Sequence, residues 1–275
     1  MTAPSIRWTY AFVDRPMKEF GPATDFWTAV TGTRLSQPRG DQGEFVTLLH
    51  EGADACVKAQ GVGSGDGGAH LDLAVEDVPA LVEAALRRGA TLVAEYDGWA
   101  VLRSPGGQLF CAVPWHGESA RPPVVEGPSG ATSRLDQVCV DLAPSVYGAE
   151  ITFWSELTGW DSHPGALPEF HLVKPPAALP FRILLQRLDS DRPASAHLDI
   201  ACSDIEAVRA RHEGLGATLV DRGALWAVMR DPVGGTYCLT PRDPGTGSLH
   251  QPRVAYAQMP SSPSSTRGQD EGRSS

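Results

Sequence analysis

AHLDLAVEDVPALVEAALRRGATLVAEYDGWAVLRSPGGQLFCAVP, residues 69–114, returns as AHLDIACSDIEAVRARHEGLGATLVDRGALWAVMRDPVGGTYCLTP, residues 196–241. The two stretches align without a gap. The offset is constant at 127 (197 − 70 for two His, 226 − 99 for two Trp, 238 − 111 for two Cys), and 20 of the 46 aligned pairs are identical. The same offset carries Phe26-Trp27 onto Phe153-Trp154 and Thr31-Gly32 onto Thr158-Gly159. Solenoid repeats have periods of roughly 20–50 residues. A period of 127 is domain-sized instead. One complete folding unit has been copied, so each site in it occurs twice and can be compared within the chain.

The first unit is assigned to residues 1–115 and the second to 134–242. Between them, HGESARPPVVEGPSGATS (116–133) is rich in Pro, Gly and Ser and reads as a linker. The polar tail, 243–275, is expected to be largely disordered, because it offers few apolar groups to offset ordering entropy.

Each unit has an inner rhythm. In the first, 6–13 reads as a strand, 23–30 as a short helix stopped by Gly32, and 34–37, 44–50 and 55–60 as three strands. The order restarts at residue 69: AHLDLAV is a strand, VPALVEAALRRG a helix, and ATLVAEY, WAVLRS and QLFCAVP are three more strands. Asp77 precedes the helix as an N-cap should, and Asp204 does so in the copy. The fold class is therefore α+β, with two strand–helix–three-strand modules in each domain.

Bulk properties narrow the function. A length of 275 suits two domains, each able to bury a core. A formal charge of −10 argues against a nucleic-acid partner, which requires a basic face. No run approaches the ~18 apolar residues of a membrane span. The N-terminus, MTAPSIRWTYAF, shows no signal peptide. Five cysteines without a CxxC pair read as reduced thiols, so a cytoplasmic location is expected. There is no GxSxG, Walker A, dinucleotide GxGxxG or HExxH motif. GVGSGDGG, 61–68, lies between half-domains and reads as a connector.

The FW…VTG and FW…LTG helix endings, the HLDL and HLDI strands and the DPVGGTYCL ending resemble the vicinal oxygen chelate superfamily. That superfamily includes glyoxalase I, bleomycin- and fosfomycin-resistance proteins and extradiol dioxygenases. The likeness is greatest to its glyoxalase-like domains, here in tandem. It implies that each domain's modules curl their sheet around a ligand cleft. It also implies, for metal-dependent members, ligands from the first, fifth and last strands and sometimes the fourth, usually His or Gln, Glu, His and Glu.

Set against that pattern, the fifth-strand His is present twice, as His70 and His197. Strand alternation places His70 with Asp72, and His197 with Asp199, on the face opposite Leu71, Leu73 and Val75. These pairs are candidate ligand-binding groups, and the two His are candidate catalytic acid/bases or metal ligands. The plainer reading is a half-buried His bonded to its Asp. The last-strand Glu is replaced by Cys111 and Cys238, whose soft sulfur does not suit hard-oxygen metal chemistry; small buried thiols are the plainer reading. The first-strand position falls on Tyr10 and Gln137, and the fourth on Gln60 and Gln186. The second domain thus has the better metal candidates, Gln137, Gln186, His197 and Cys238. Trp99 and Trp226 begin equivalent strands and either stack on a planar ligand or fill the core. Glu44, Glu169 and His171 fall near a cleft rim.

Two readings follow. In the first, the clefts bind a small organic molecule for sequestration, resistance or sensing, with no obligatory metal. In the second, a divalent metal in the second domain supports a lyase, isomerase or dioxygenase. Neither reading requires nucleic acid or membrane, and both allow a homodimer.

Overall fold

The computed structural model describes residues 4–65 and 67–249. The first domain contains β1 (Ile6–Pro16), β2 (Arg34–Leu35), β3 (Phe45–Leu49), β4 (Val57–Val62), β5 (Gly68–Val75), β6 (Thr91–Tyr96), β7 (Trp99–Arg103) and β8 (Leu109–Pro114). Helix α1 (Phe20–Thr31) follows β1 and α2 (Val78–Leu86) follows β5. After a short β9 (Val125–Glu126), the second domain repeats the order. Its strands are β10 (Thr132–Leu142), β11 (Asp161–Pro164), β12 (Phe170–Lys174), β13 (Arg182–Arg187), β14 (Ser195–Cys202), β15 (Thr218–Arg222), β16 (Ala227–Arg230) and β17 (Thr236–Thr240). Its helices are α3 (Tyr147–Thr158) and α4 (Ile205–Gly214).

The sheet orders are the same. The first is β2-β3-β4-β1-β5-β8-β7-β6 and the second β11-β12-β13-β10-β14-β17-β16-β15, with β9 added beside the start of β10. At each centre two long strands run antiparallel, β1 with β5 and β10 with β14, and each has a parallel neighbour from its own module, β4 or β8, β13 or β17. The strand–helix–three-strand module is therefore used four times. Among the described residues, no helix is long and apolar enough to cross a membrane.

Local chemistry sets the helix ends. Asp77 and Asp204 accept the N–H groups of Ala80 and Ala207 at 2.9 and 3.0 Å, satisfying otherwise orphaned donors. Gly32 and Gly159 end α1 and α3 in the left-handed region, at φ 65° and 64°, where a side chain is disfavoured.

The helices of the first modules pack across the domain boundary. Phe26 and Trp27 of α1 meet Tyr237 on β17 at 5.8 and 5.4 Å between ring centroids. Reciprocally, Phe153 and Trp154 of α3 meet Phe110 on β8 at 5.8 and 5.1 Å. Phe110 and Tyr237 are repeat mates (237 − 110 = 127). Each Phe-Trp pair is thus an anchor into the partner domain, and the two domains bury one continuous core.

The connecting segment is tied down at both ends. The N–H groups of Ser119 and Ala120 donate to Asp54, and Arg121 donates to the Pro180 carbonyl. At the start of the tail expected to be largely disordered, residues 243–249 form a turn. The carbonyls of Gly245 and Gly247 accept from Arg134 and Arg182 at 2.8 Å each, which a reading based on apolar content does not register. The rest of the expected tail, 250–275, lies outside the described residues.

Candidate functional site

Each curled sheet encloses a cleft on the face opposite its helices. The first has a volume of about 560 Å³ and the second about 180 Å³. The first cleft is lined by Tyr10, Gln60, His70, Asp72, Trp99 and Cys111. The second is lined by Gln137, Gln186, His197, Asp199, Trp226 and Cys238. The structure therefore brings the candidate residues of each domain together. Glu44, Glu169 and His171 are not among the lining residues of either cleft. The Glu44 carboxylate accepts from Gln42 N–H, the Glu169 carbonyl from Tyr147 O–H, and His171 pairs with Ser162.

In the first cleft His70 is held between two carboxylates. Its Nδ1 lies 2.7 Å from Asp14 Oδ2 and its Nε2 3.7 Å from Asp72 Oδ1. The ring stacks on Phe12 at 4.3 Å, 14° from parallel. Burial pulls its pKa down, but the charges of Asp14 and Asp72 and the Asp14 hydrogen bond outweigh burial, and the net shift is upward. Lys58 reaches in from β4. Its Nζ lies 3.6 Å from Asp72 Oδ2 and 3.7 Å above the Tyr10 ring. Burial lowers the Lys58 pKa against the pull of Asp72. The Tyr10 hydroxyl donates to Glu118 of the connecting segment at 2.5 Å. Trp99 stacks on Tyr96 at 4.2 Å, 10° from parallel.

The second cleft keeps the His and changes its neighbours. His197 Nδ1 lies 3.5 Å from Asp141 Oδ2 and Nε2 3.3 Å from Asp199 Oδ1. Its pKa is raised well above the usual value: burial lowers it, while the Cys139 and Cys238 side chains and the bonds to Asp141 and Asp199 raise it. Cys139 stands in the place of Phe12. Sheet register fixes the other exchange. Phe12 pairs with Lys58, and Cys139 pairs with Leu184, so a leucine replaces the lysine. The free oxygen of Asp199, Oδ2, is taken by Gln137 Nε2. Trp226 packs edge-on against Phe170 at 5.5 Å.

Sequence reasoning missed Lys58, Asp14, Asp141 and Cys139. The signal was alternation: Phe12 and Asp14 share the face of Tyr10, and Lys58 shares that of Gln60. Their spatial pairing needed the β1–β4 register.

The glyoxalase-like domain family matches residues 11–113 and again 137–240. This chain belongs to that family. No curated protein matches it. Several solved structures share its fold. A 2,3-dioxygenase, LapB, from Pseudomonas sp. KL28 aligns with a TM-score of 0.56 at 13% identity, over 86% of this chain and 91% of that one. The Mn(II)-bound glyoxalase from Novosphingobium aromaticivorans gives 0.54 and 15%, over 92% and 89%. A xylose isomerase-like TIM barrel/4-hydroxyphenylpyruvate dioxygenase fusion protein gives 0.58 and 12%, over 86% of this chain, which spans 49% of that protein's length. The coverage in the first two cases includes both tandem domains. At these identities the likeness shows the fold alone.

The donors for a metal differ between the clefts. His70, Asp72 and Cys111 converge within 4.8 Å in the first, as do His197, Asp199 and Cys238 in the second. In the first, Lys58 already places a positive charge against Asp72, so a divalent metal does not fit. In the second no lysine intervenes; Asp199 Oδ1, like Asp72 Oδ1 in the first, is buried without a hydrogen-bond partner. Asp199 offers a carboxylate beside Cys238, where the last strand has none. Gln137 spends its amide on Asp199, and the Cys139 thiol donates to Gln186 at 3.7 Å. The His–Asp–Cys set mixes soft and hard donors and suits zinc better than manganese or iron(II).

Proposed function

We propose that this protein is a small-molecule-binding member of the family, whose clefts hold an organic ligand for sequestration, resistance or sensing, with no obligatory metal. Lys58 carries this reading. Its ammonium stands against Asp72 inside a cleft of about 560 Å³ and provides the positive charge that a metal would otherwise bring. Cavities of this size, mostly apolar with a few convergent polar groups, suit drug-sized ligands. Elemental analysis of protein purified without a His tag, followed by calorimetric titration with divalent metals, tests it. The first domain should take up no metal. Stoichiometric tight binding abolished by His70→Ala would overturn the reading.

The replacement of Lys58 by Leu184 favours a second reading in the other cleft. His197, Asp199 and Cys238 would hold a zinc-like ion, which would supply Lewis-acid chemistry for a lyase or isomerase of the family type; a dioxygenase would instead need a redox-active metal at the same donors. Tight metal binding lost in His197→Ala would bring that enzyme reading to the front.

A further inference from the structure

The two clefts descend from one ancestor and share a His between two Asp, so their differences indicate what each has come to hold. We infer that the first cleft recognises a planar organic anion, an aromatic or enolic carboxylate, with its charged group between Lys58 and Arg39 and its ring against Trp99. This rests on the ligand-binding reading above and names its ligand class.

Three observations carry it. First, Lys58 has three N–H donors, and among the described residues its one ion-pair partner, Asp72 Oδ2, stands at 3.6 Å, beyond ordinary hydrogen-bond reach. Most of the donor capacity of a four-fifths-buried ammonium (side chain 20% exposed) is therefore left for a ligand. Second, Arg39 lines the same cleft and its charge acts on Lys58. Two like charges facing one volume repel unless an anion lies between them. The nearby carboxylates are partly engaged: Asp14 Oδ2 with His70, Asp72 Oδ2 facing Lys58 at 3.6 Å, and Glu118 with the Tyr10 hydroxyl and His116 N–H, while Asp14 Oδ1 and Asp72 Oδ1 are buried without a hydrogen-bond partner. Arg39 donates to Thr47 Oγ1 at 2.8 Å and has no carboxylate partner among the described residues. Third, the Tyr96–Trp99 stack in the same wall presents a flat aromatic surface that a planar ligand can extend.

The second cleft is the internal control. Leu184 replaces Lys58, the wall is completed by Leu172, Leu225 and Leu249, and of the two arginines that reach it, Arg242 is paired with Asp136 and Arg182 donates to the Gly247 carbonyl at 2.8 Å and stands 3.6 Å from Asp136. It suits a smaller, neutral guest.

The test is calorimetric titration of the full chain with 1-naphthoate and its neutral isostere 1-naphthamide. A charge-assisted contact contributes about 1.5–3 kcal/mol, so naphthoate should bind about tenfold or more tighter. Lys58→Met should remove that preference, and an unaltered melting temperature certifies the fold. Lys58→Arg should keep the preference. Arg39→Gln should weaken naphthoate alone and flatten its salt dependence. Trp99→Ala should weaken both probes, and His197→Ala neither. Equal affinity for both probes, or a preference that survives Lys58→Met, overturns the anion assignment while the ligand-binding reading stands. If neither probe binds, or if binding responds to His197→Ala and not to Trp99→Ala, both fail for this cleft.

Discussion

The indole N–H of Trp27, on α1 of the first domain, donates across the domain boundary to Asp231 Oδ2 of the second at 3.2 Å. Its repeat mate, Trp154, donates to Glu150 of its own helix at 2.7 Å. A buried indole N–H needs an acceptor, and the two interfaces supply it from opposite sides. At one, Asp231 also receives Arg15 Nε at 2.7 Å, in an ion pair whose side chains are 3% and 0% exposed. At the other, Leu142 replaces Arg15 and Ser104 replaces Asp231 (142 − 15 = 127, 231 − 104 = 127), and Glu150 also accepts from Gly106 N–H.

Arg15→Leu should therefore destabilise the protein by about 3–5 kcal/mol, because it leaves a buried carboxylate unpaired. Adding Asp231→Ser removes the stranded carboxylate but also the acceptor of the Trp27 N–H, so it should recover only part of that loss. Urea unfolding of the two single variants and the double variant measures the coupling. Additive effects would mean that the pair is not a unit.

Glu150 tests the same logic at the second interface. Glu150→Ala strands the Trp154 and Gly106 N–H groups and should cost about 2–6 kcal/mol, at roughly 1–3 for each unsatisfied buried donor. Glu150→Gln keeps one acceptor oxygen for the two N–H groups that Oε1 and Oε2 now accept separately, so its midpoint should fall between those of the parent and Glu150→Ala. If the two variants unfold alike, these hydrogen bonds carry no weight.

His212 makes the interface acid-sensitive. It is fully buried beside Phe26 and bonded to the Tyr237 hydroxyl at 3.0 Å. Burial, aided by Arg211, lowers its pKa to about 3. An unfolded His titrates near 6.5. Between those values the unfolded chain takes up a proton that the native state refuses. The contribution is therefore fully present above pH 6.5 and declines as pH falls towards about 3. His212→Gln, neutral throughout and still able to bond Tyr237, should flatten the fall of melting temperature across that window. An unchanged slope would assign acid sensitivity elsewhere.

All five cysteines are buried and free. Burial raises the pKa of Cys56 and Cys139 to about 12 and pushes Cys238 upward, so the reactive thiolate is scarce. A thiol reagent should label none of them in the native protein and all five after denaturation. Rapid labelling of Cys111 or Cys238 in the native protein would show that the cleft floors open.

The faces of the strands were legible in the sequence. Alternation from His70 and His197 correctly separates the cleft side, with Asp72 and Asp199, from the core side, with Leu71, Leu73 and Leu198. The Gly32 and Gly159 stops and the Asp77 and Asp204 caps lie where the local rules put them. Lys58 was not legible as a cleft residue opposite Phe12, because β1 and β4 are joined by a long excursion through α1, β2 and β3 whose length does not set their register. The turn at 243–249 was hidden for a related reason: Arg134 and Arg182, which hold it, are remote in the chain.

The sequence by itself determined the duplication, the module and its fourfold use, since these follow from residue periodicity, turn chemistry and self-similarity, all of which act over a few residues or are counted directly. Only the tertiary structure decided that the Phe-Trp helices anchor the opposite domain, that Lys58 occupies one cleft and Leu184 the other, and that Asp199 converges with His197 and Cys238. Those facts depend on strand register and domain docking, where side chains far apart in sequence are brought within a few ångströms by burial of surfaces that no local pattern identifies as partners.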